Sequence, residues 1–351
     1  MDTQTLTDKI KWKALELGYV RCGITTADDF PDFKAILQSR THYGFFYGGN
    51  DNPPILAGAS PKTIDPQAKS IISLIYSYGN IDFPEQLIDV IGRCYQARCY
   101  SPPANTVNGQ RLELFRAFLK ELGINELGPY WLPDRAIAVR SGVATYGKNN
   151  LIYADEYGSF IIATSVLVDV ELAYDSPKEN VRPCPDSCTR CIDACPTGAI
   201  TGPGDLNPDR CILRNQFSPD ALIFEDVFDL IGTRIHGCDA CQVACPRNHH
   251  ALKQTHVKDP LLERIAAEFS LEKLLFCDDD YYDKVVHPIM YNYISDVDLF
   301  RRNAAIAMGN SGDASYIPAL ERAVEEGSES VRAHALRALE KLRSSQAAGQ
   351  A

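Results

Sequence analysis

No apolar run in this chain reaches the length of a transmembrane helix, and Met1-Asp2-Thr3-Gln4 offers neither a basic n-region nor a twin-arginine pair. These absences lead us to expect a cytoplasmic protein with no membrane partner, in a compartment where thiols stay reduced. An excess of basic charge is also missing. The formal net charge is −11, which argues against broad, sequence-blind nucleic-acid binding but leaves room for a local basic face. The Gly-x-x-x-x-Gly-Lys-Ser/Thr spacing of a phosphate loop does not occur. What remains is an ordinary soluble composition, 45% apolar and 23% charged over 351 residues, enough for two or three domains.

Cysteine is where the chain departs from the ordinary. Eight of its twelve cysteines fall between Cys184 and Cys245. Two runs, Cys188-x-x-Cys191-x-x-x-Cys195-Pro196 and Cys238-x-x-Cys241-x-x-x-Cys245-Pro246, each have one more cysteine upstream, Cys184 and Cys211. Two sets of four thiolates are what two [4Fe–4S] clusters require, and in such modules the cysteine before proline ligates the other cluster. The expected sets are Cys184, Cys188, Cys191 and Cys245 for one cluster, and Cys238, Cys241, Cys211 and Cys195 for the other. Zinc also takes four thiolates, but the prolines and the crossed spacing fit cubane clusters better. Disulfides would need an oxidising compartment. One irregularity stands out: three residues separate Cys184 from Cys188, where two are usual.

Around this module the chain divides into an N-terminal α/β or α+β layer domain over 1–175, a ferredoxin-like domain over 176–255 and a helical domain over 256–351. Leu6, Ile10, Ala14 and Leu17 predict a helix over 5–18, followed by a strand at 19–24. Residues 39–69, rich in Gly, Pro, Asn and Asp, read as loop. The run from Ser70 to Tyr78 predicts a buried strand, and Leu112, Phe115, Leu119 and Leu122 a helix over 108–122. Ala136–Val139 and Phe160–Val170 are expected as further strands. The segment from Ser141 to Asn150, with Gly142, Gly147, Lys148 and Asn149, lets a backbone approach a ligand closely and offers one point charge. On turn chemistry alone it is a tight inter-strand loop.

The loop and the cluster module together resemble the epoxyqueuosine reductase family. Gly18-Tyr19, Gly23-Ile24, Ala68 to Ile72, Asp134-Arg135 through Arg140-Ser141-Gly142, Gly147-Lys148-Asn149, Gly158-Ser159-Phe160 and both cysteine runs up to Asn248 carry the likeness. The resemblance implies a cobalamin beside two [4Fe–4S] clusters, a helical C-terminal domain, and reduction of an epoxide in a tRNA base. It implies an external low-potential donor such as a flavodoxin or ferredoxin, tRNA as a partner, and a monomer. It places Cys94, Arg140, Ser141, Gly142, Gly147, Lys148, Asn149 and Ser159 at the cobalamin. No Asp-x-His-x-x-Gly occurs among the settings of the seven histidines, so the cobalamin is expected to lack a histidine lower ligand. Reductive chemistry needs general acids within hydrogen-bond reach. Asp134, Tyr95 and Tyr100 are the candidates, with Cys94 and Cys99 in the same stretch. The match departs at Arg93 to Ser101, and where the family has its proposed proton-donor aspartate this chain has Gly128, with Glu126 nearby.

From Asp296 onward the pattern is helical. The helices are expected to stop at Gly309 and Gly327, and Val331, Ala335, Ala338, Leu339 and Leu342 form the stripe of a last helix that frays after Arg343. The layout resembles a HEAT-type repeat and must dock to bury its core. Arg301, Arg302, Arg332, Arg337, Lys341 and Arg343 are offered to RNA or balanced by neighbouring glutamates; we favour the balanced face. Three functions follow: a cobalamin- and cluster-dependent reductase, an electron carrier serving a corrinoid partner, or a zinc-stabilised binding module. Anaerobically purified protein is expected to absorb broadly toward the blue and to carry about eight irons per chain; zinc in their place would remove the first two readings.

Overall fold

Strand Ser70–Ser77 (β2) is buried from Ser70 to Ile75, and carries four aliphatic residues there, because it lies inside a sheet covered on both faces. The computed structural model describes residues 1–40, 54–217, 225–253, 256–290 and 296–349. In it β1 (Arg21–Thr26), β2, β3 (Glu126–Leu127) and β4 (Ile161–Val168) form one sheet in the order β1-β2-β4-β3. Every pairing in that sheet is antiparallel, so the N-terminal layer is α+β and the parallel α/β alternative is corrected. Ile72 and Leu74 of β2, with Val166 and Val168 of β4, face Ile10 and Ala14 of α1 (Thr3–Glu16) and Phe115 and Leu119 of α2 (Val107–Glu121).

The opposite face receives α3 (Asp134–Arg140). Ala136–Val139, expected as a strand, lies inside this helix. A short apolar run does not tell a buried strand from a buried helix; Asp134 in the first turn and Arg140 in the last favour the helix by opposing its dipole. Gly23, Ser73 and Ser165 are register neighbours across β1, β2 and β4 on this side. Their small side chains let α3 and the turn after it come close: a Cβ on Gly23 would stand 2.7 Å from the Ser141 carbonyl oxygen. The expected loop over 39–69 contains two short helical turns, Pro54–Ala57 and Pro61–Ile64, and its residues 41–53 lie outside the described residues.

A second core begins where β2 ends. Tyr78, Leu87, Ile91 and Tyr95 join Ile212, Phe228 and Ile235 and continue into the C-terminal helices as far as Leu342. Ile81–Asp82 pairs in parallel with Val257–Lys258. The boundary expected near residue 255 is therefore no break in this core, and Tyr78–Cys99 belongs with the C-terminal half.

The last three helices are α4 (Val297–Ser311), α5 (Ile317–Glu326) and α6 (Glu329–Gly349). The stop expected at Gly309 occurs instead at Gly312, in the left-handed conformation at φ 73°. Gly309 serves packing: a Cβ there would lie 2.6 Å from the Cβ of Ala338 on α6. The helix expected to fray after Arg343 continues to Gly349. Arg302 and Asn303 dock α4. The fully buried Arg302 guanidinium donates to the carbonyls of Asn215 and Gln216 at 3.0 and 3.1 Å, and the Asn303 amide to those of Gln216 and Ile235 at 3.2 and 3.0 Å. The other cations of this region are engaged locally: Lys341 and Arg337 with Asp229, Arg343 with Glu321, and Arg301 with Asp298. Gly309→Val is expected to lower the stability of the C-terminal core by about 1–3 kcal/mol through overpacking, read as an earlier urea midpoint of the helical signal at unchanged slope.

Candidate functional site

Each Cys-x-x-Cys-x-x-x-Cys run winds around one helical turn, Arg190–Asp193 in the first and Ala240–Val243 in the second, while Cys211 precedes the turn Ile212–Gln216. The turns bring distant thiols together. Cys191 lies in electrostatic reach of Cys245, Cys184 and Cys188, and Cys241 in reach of Cys238, Cys211 and Cys195. Burial, reinforced by these neighbouring thiols, pushes Cys191, Cys238 and Cys241 upward, Cys238 to about 11. Such sets want a metal to take their charge. Among the described residues no three Cys, His or carboxylate groups close on one point as a single ion needs. The two groups differ in setting: Pro185, Asp186, Ser187, Thr189 and Arg190 around the first are exposed although Cys191 and Cys245 themselves are buried, whereas Cys211 and Cys241 keep some surface but lie deep enough that burial pushes their thiols up.

The Gly147-Lys148-Asn149 loop sits between the two groups and holds both. Lys148 Nζ donates to the carbonyl oxygens of Pro185, Asp186 and Cys188 at 2.7, 2.8 and 3.0 Å. The Asn149 amide donates to the Tyr153 hydroxyl at 3.0 Å and to the Cys241 carbonyl at 3.4 Å. Tyr153 is buried, its phenol is pushed well up by that burial, and its hydroxyl bonds to Cys245. Ser159 is tied in similarly: its N–H donates to Asn248 Oδ1 at 2.7 Å and its Oγ accepts from Asn248 Nδ2 at 2.8 Å. Arg140, expected at a ligand, donates to Thr25 Oγ1 and to the carbonyls of Thr26, Asp28 and Asp29, and its guanidinium stacks on Phe30. Ser141 Oγ bonds to the Ala138 carbonyl, and Gly142, with φ 72°, turns the chain beneath Ser176.

Arg93 to Ser101 folds against the deeper group. Arg93 donates through its backbone N–H and its guanidinium to Asp239, between Cys238 and Cys241, at 2.9 and 3.1 Å. Gly92 and Gly237 cross here, and a Cβ on Gly237 (φ 88°) would lie 3.0 Å from the Cα of Gly92. Tyr95 is buried, its ring 4.1 Å from that of His236 and 5.9 Å from that of the partly exposed Tyr100. Burial raises the thiols of Cys94 and Cys99, so both stay protonated. Asp134 stands elsewhere, against Ser165 of β4, where burial pushes its carboxyl up to about 6. Arg135 bridges the two regions. Its charge acts on Cys94, on Cys211 and on Tyr146, and it donates to the Asn150 carbonyl at 3.1 Å. Glu126 is not available as an acid, because both its oxygens accept from Arg116 at 2.7 and 2.8 Å.

Known proteins share this arrangement. A family described as a 4Fe-4S double cluster binding domain matches residues 184–248, and HEAT repeats match residues 295–350. Epoxyqueuosine reductase of Bacillus subtilis (strain 168) is 29% identical over 333 residues, covering 91% of this chain and 83% of that protein. A structure of the Bacillus subtilis enzyme, with its catalytic aspartate loop swung out of the active site, superposes with a TM-score of 0.80 at 29% identity over 96% of this chain and 90% of that one. An epoxyqueuosine reductase bound to an epoxyqueuosine-modified tRNA stem loop gives a TM-score of 0.78 at 29% identity over the same shares. Over most of its length the chain is thus similar to the epoxyqueuosine reductases, a likeness that marks it as an oxidoreductase. Among the described residues no helix is long and apolar enough to cross a membrane.

Tyr153 was not marked as a site residue by the sequence, and Arg135 and Asn248 stood inside the stretches that carry the resemblance without being singled out. A concavity of about 980 Å³ bordered by Arg264, Phe276, Tyr281 and Lys284 contains none of the cysteines and is no place for their chemistry. Asp134 generates a test. With a folded value near 6 above its ordinary 3.8, the native state favours its protonated form, so stability falls as pH rises from about 4 to about 6 and levels off above. Asp134→Asn is expected to remove that fall, measured as Tm against pH for both chains.

Proposed function

We propose that the chain reduces epoxyqueuosine in tRNA with two [4Fe–4S] clusters and a base-off cobalamin. The observation that carries this reading is the position of Arg135: its charge bears both on Cys211 in the deeper thiol group and on Cys94 outside it. A reaction centre beside Arg135 would therefore adjoin the inner cluster. Cys184, Cys188, Cys191 and Cys245 would hold the outer cluster at the exposed loop, where an external donor such as a flavodoxin or ferredoxin reaches it. Cys195, Cys211, Cys238 and Cys241 would hold the inner one.

When bound, cobalamin supplies a low-potential metal centre able to deliver electrons to carbon. The residues present suit it. β3 pairs only with Leu167 and Val168, so Ile162 to Ser165 of β4 are left partly exposed with backbone groups for amide side chains. Beneath them Ser73 Oγ is buried without a partner, and Ser165 lies against Asp134. Arg135 and Cys94 would flank the group, and the Ser141–Asn149 loop would support it through its backbone. His236 is enclosed by Tyr95, Phe217 and Phe300, which suits a cobalamin without a histidine ligand. Asp134, protonated up to about pH 6, holds a proton at its carboxyl, and the partly exposed Tyr100 hydroxyl is a second source. The tRNA stem loop bound by the structural relative supports tRNA as substrate.

The test is conversion of epoxyqueuosine to queuosine in tRNA by the iron-loaded, cobalamin-supplied chain with a low-potential chemical reductant as the electron source, read by nucleoside mass spectrometry. Cys211→Ala is expected to lower turnover by roughly 100-fold or more while leaving the outer cluster in place. A chain with full iron and bound cobalamin that leaves the base unchanged would overturn the substrate assignment.

A further inference from the structure

The first ligand loop is one residue longer than usual, and a longer loop needs something to hold it. Lys148 supplies that. Its ammonium is 6% exposed as a residue and directs its three N–H groups to three carbonyls of one short loop, those of Pro185, Asp186 and Cys188. An ammonium has three donors and no acceptor, so its hydrogen-bonding capacity is filled. Its charge is not cancelled, because carbonyl oxygens carry only partial charge. The charge therefore sits inside the Cys184–Cys188 loop, on the far side of Asn149 from the deeper thiols.

We propose that Lys148 is the positioning residue of the outer cluster: it shapes the lengthened Cys184–Cys188 loop and, as a buried positive charge, raises that cluster's reduction potential above what the thiolates alone would set. The inference rests on the two-cluster reading. Reduction adds negative charge to the cluster, and a fixed cation bonded to the backbone of its ligand loop, the Cys188 carbonyl included, stabilises the reduced form more than the oxidised form. The deeper thiols receive neutral donors, the Ala199 N–H to Cys195 Sγ at 3.2 Å and the Asn149 amide to the Cys241 carbonyl, and feel the charges of Arg135 and Arg234, but no ammonium is bonded into their ligand loops among the described residues.

The test is an anaerobic redox titration followed by electron paramagnetic resonance, on the wild-type chain and on Lys148→Met and Lys148→Arg, with iron counted in each. Wild-type protein without about eight irons would refute the two-cluster reading itself, before any variant is compared. Given that loading, Lys148→Met is expected to lower the potential of one cluster by about tenfold in its one-electron equilibrium, about 59 mV, with the other unmoved. Lys148→Arg keeps the charge and is expected to restore that potential while releasing outer-cluster iron faster. Loss of four irons from Lys148→Met alone, with the second cluster's signal intact, also supports the assignment. Full iron with both potentials unchanged would overturn it. So would loss of both clusters together, or failure of both variants to fold, since each would make Lys148 a general packing residue.

Discussion

Sulfur atoms that repel one another when ionised have to be held together by something else, and several buried polar groups in the middle of this chain serve that end. Thiols do not hold such a group together by themselves; burial and mutual proximity both drive them toward the protonated state. The holding is done by neighbours that take the backbone of the ligand loops as their partner. Lys148 binds the loop before Cys188, Arg93 binds Asp239 between two thiols, and Asn248 binds Ser159 and the Gln242 carbonyl. Buried polar groups are costly unless paired, and here the pairing is with carbonyl oxygens that a wound ligand loop leaves unsatisfied. The sheet and the helical domain are two halves of one vice closed on that module.

This division of labour revises the meaning of the small, charged loop ahead of the cysteines. A Gly-Lys-Asn segment beside a ligand motif has the chemistry of a loop that touches a cofactor. Its lysine and asparagine side chains face the protein, held on the carbonyls of the ligand loops. The departures from the family's pattern have physical content as well. Glu126 is committed to Arg116, and Gly128 has no side chain to offer, which leaves Asp134, at the start of α3, as the buried acid that follows them in the chain.

The most legible parts of the sequence were those with one dominant signal. The cysteine spacing announced the thiol groups, the aliphatic-rich run of β2 announced a covered strand, and the 0, 4, 7, 8, 11 stripe announced α6. Reading failed where two structures share one pattern. Ala136–Val139 is too short for periodicity to separate helix from strand, and the sheet face that decides it is built from residues far away in the chain. Gly309 looked like a stop because glycine often is one; its reason for being there is Ala338, on another helix. Arg302 looked like a surface cation, and nothing local betrays that its partners are the carbonyls of Asn215 and Gln216. Long-range hydrogen bonds to backbone leave no trace in sequence spacing, because a carbonyl has no side-chain identity.

Arg302 and Asn303 also bear on how the protein is made. The carbonyls they hold, from Asn215 to Ile235, frame the stretch between Cys211 and Cys238, while α4 is among the last segments of the chain. The frame of the deeper thiol group is thus completed by residues synthesised well after the cysteines themselves. Maturation of that group is tied to the completed chain, and a truncated product would carry its thiols in an unfinished setting.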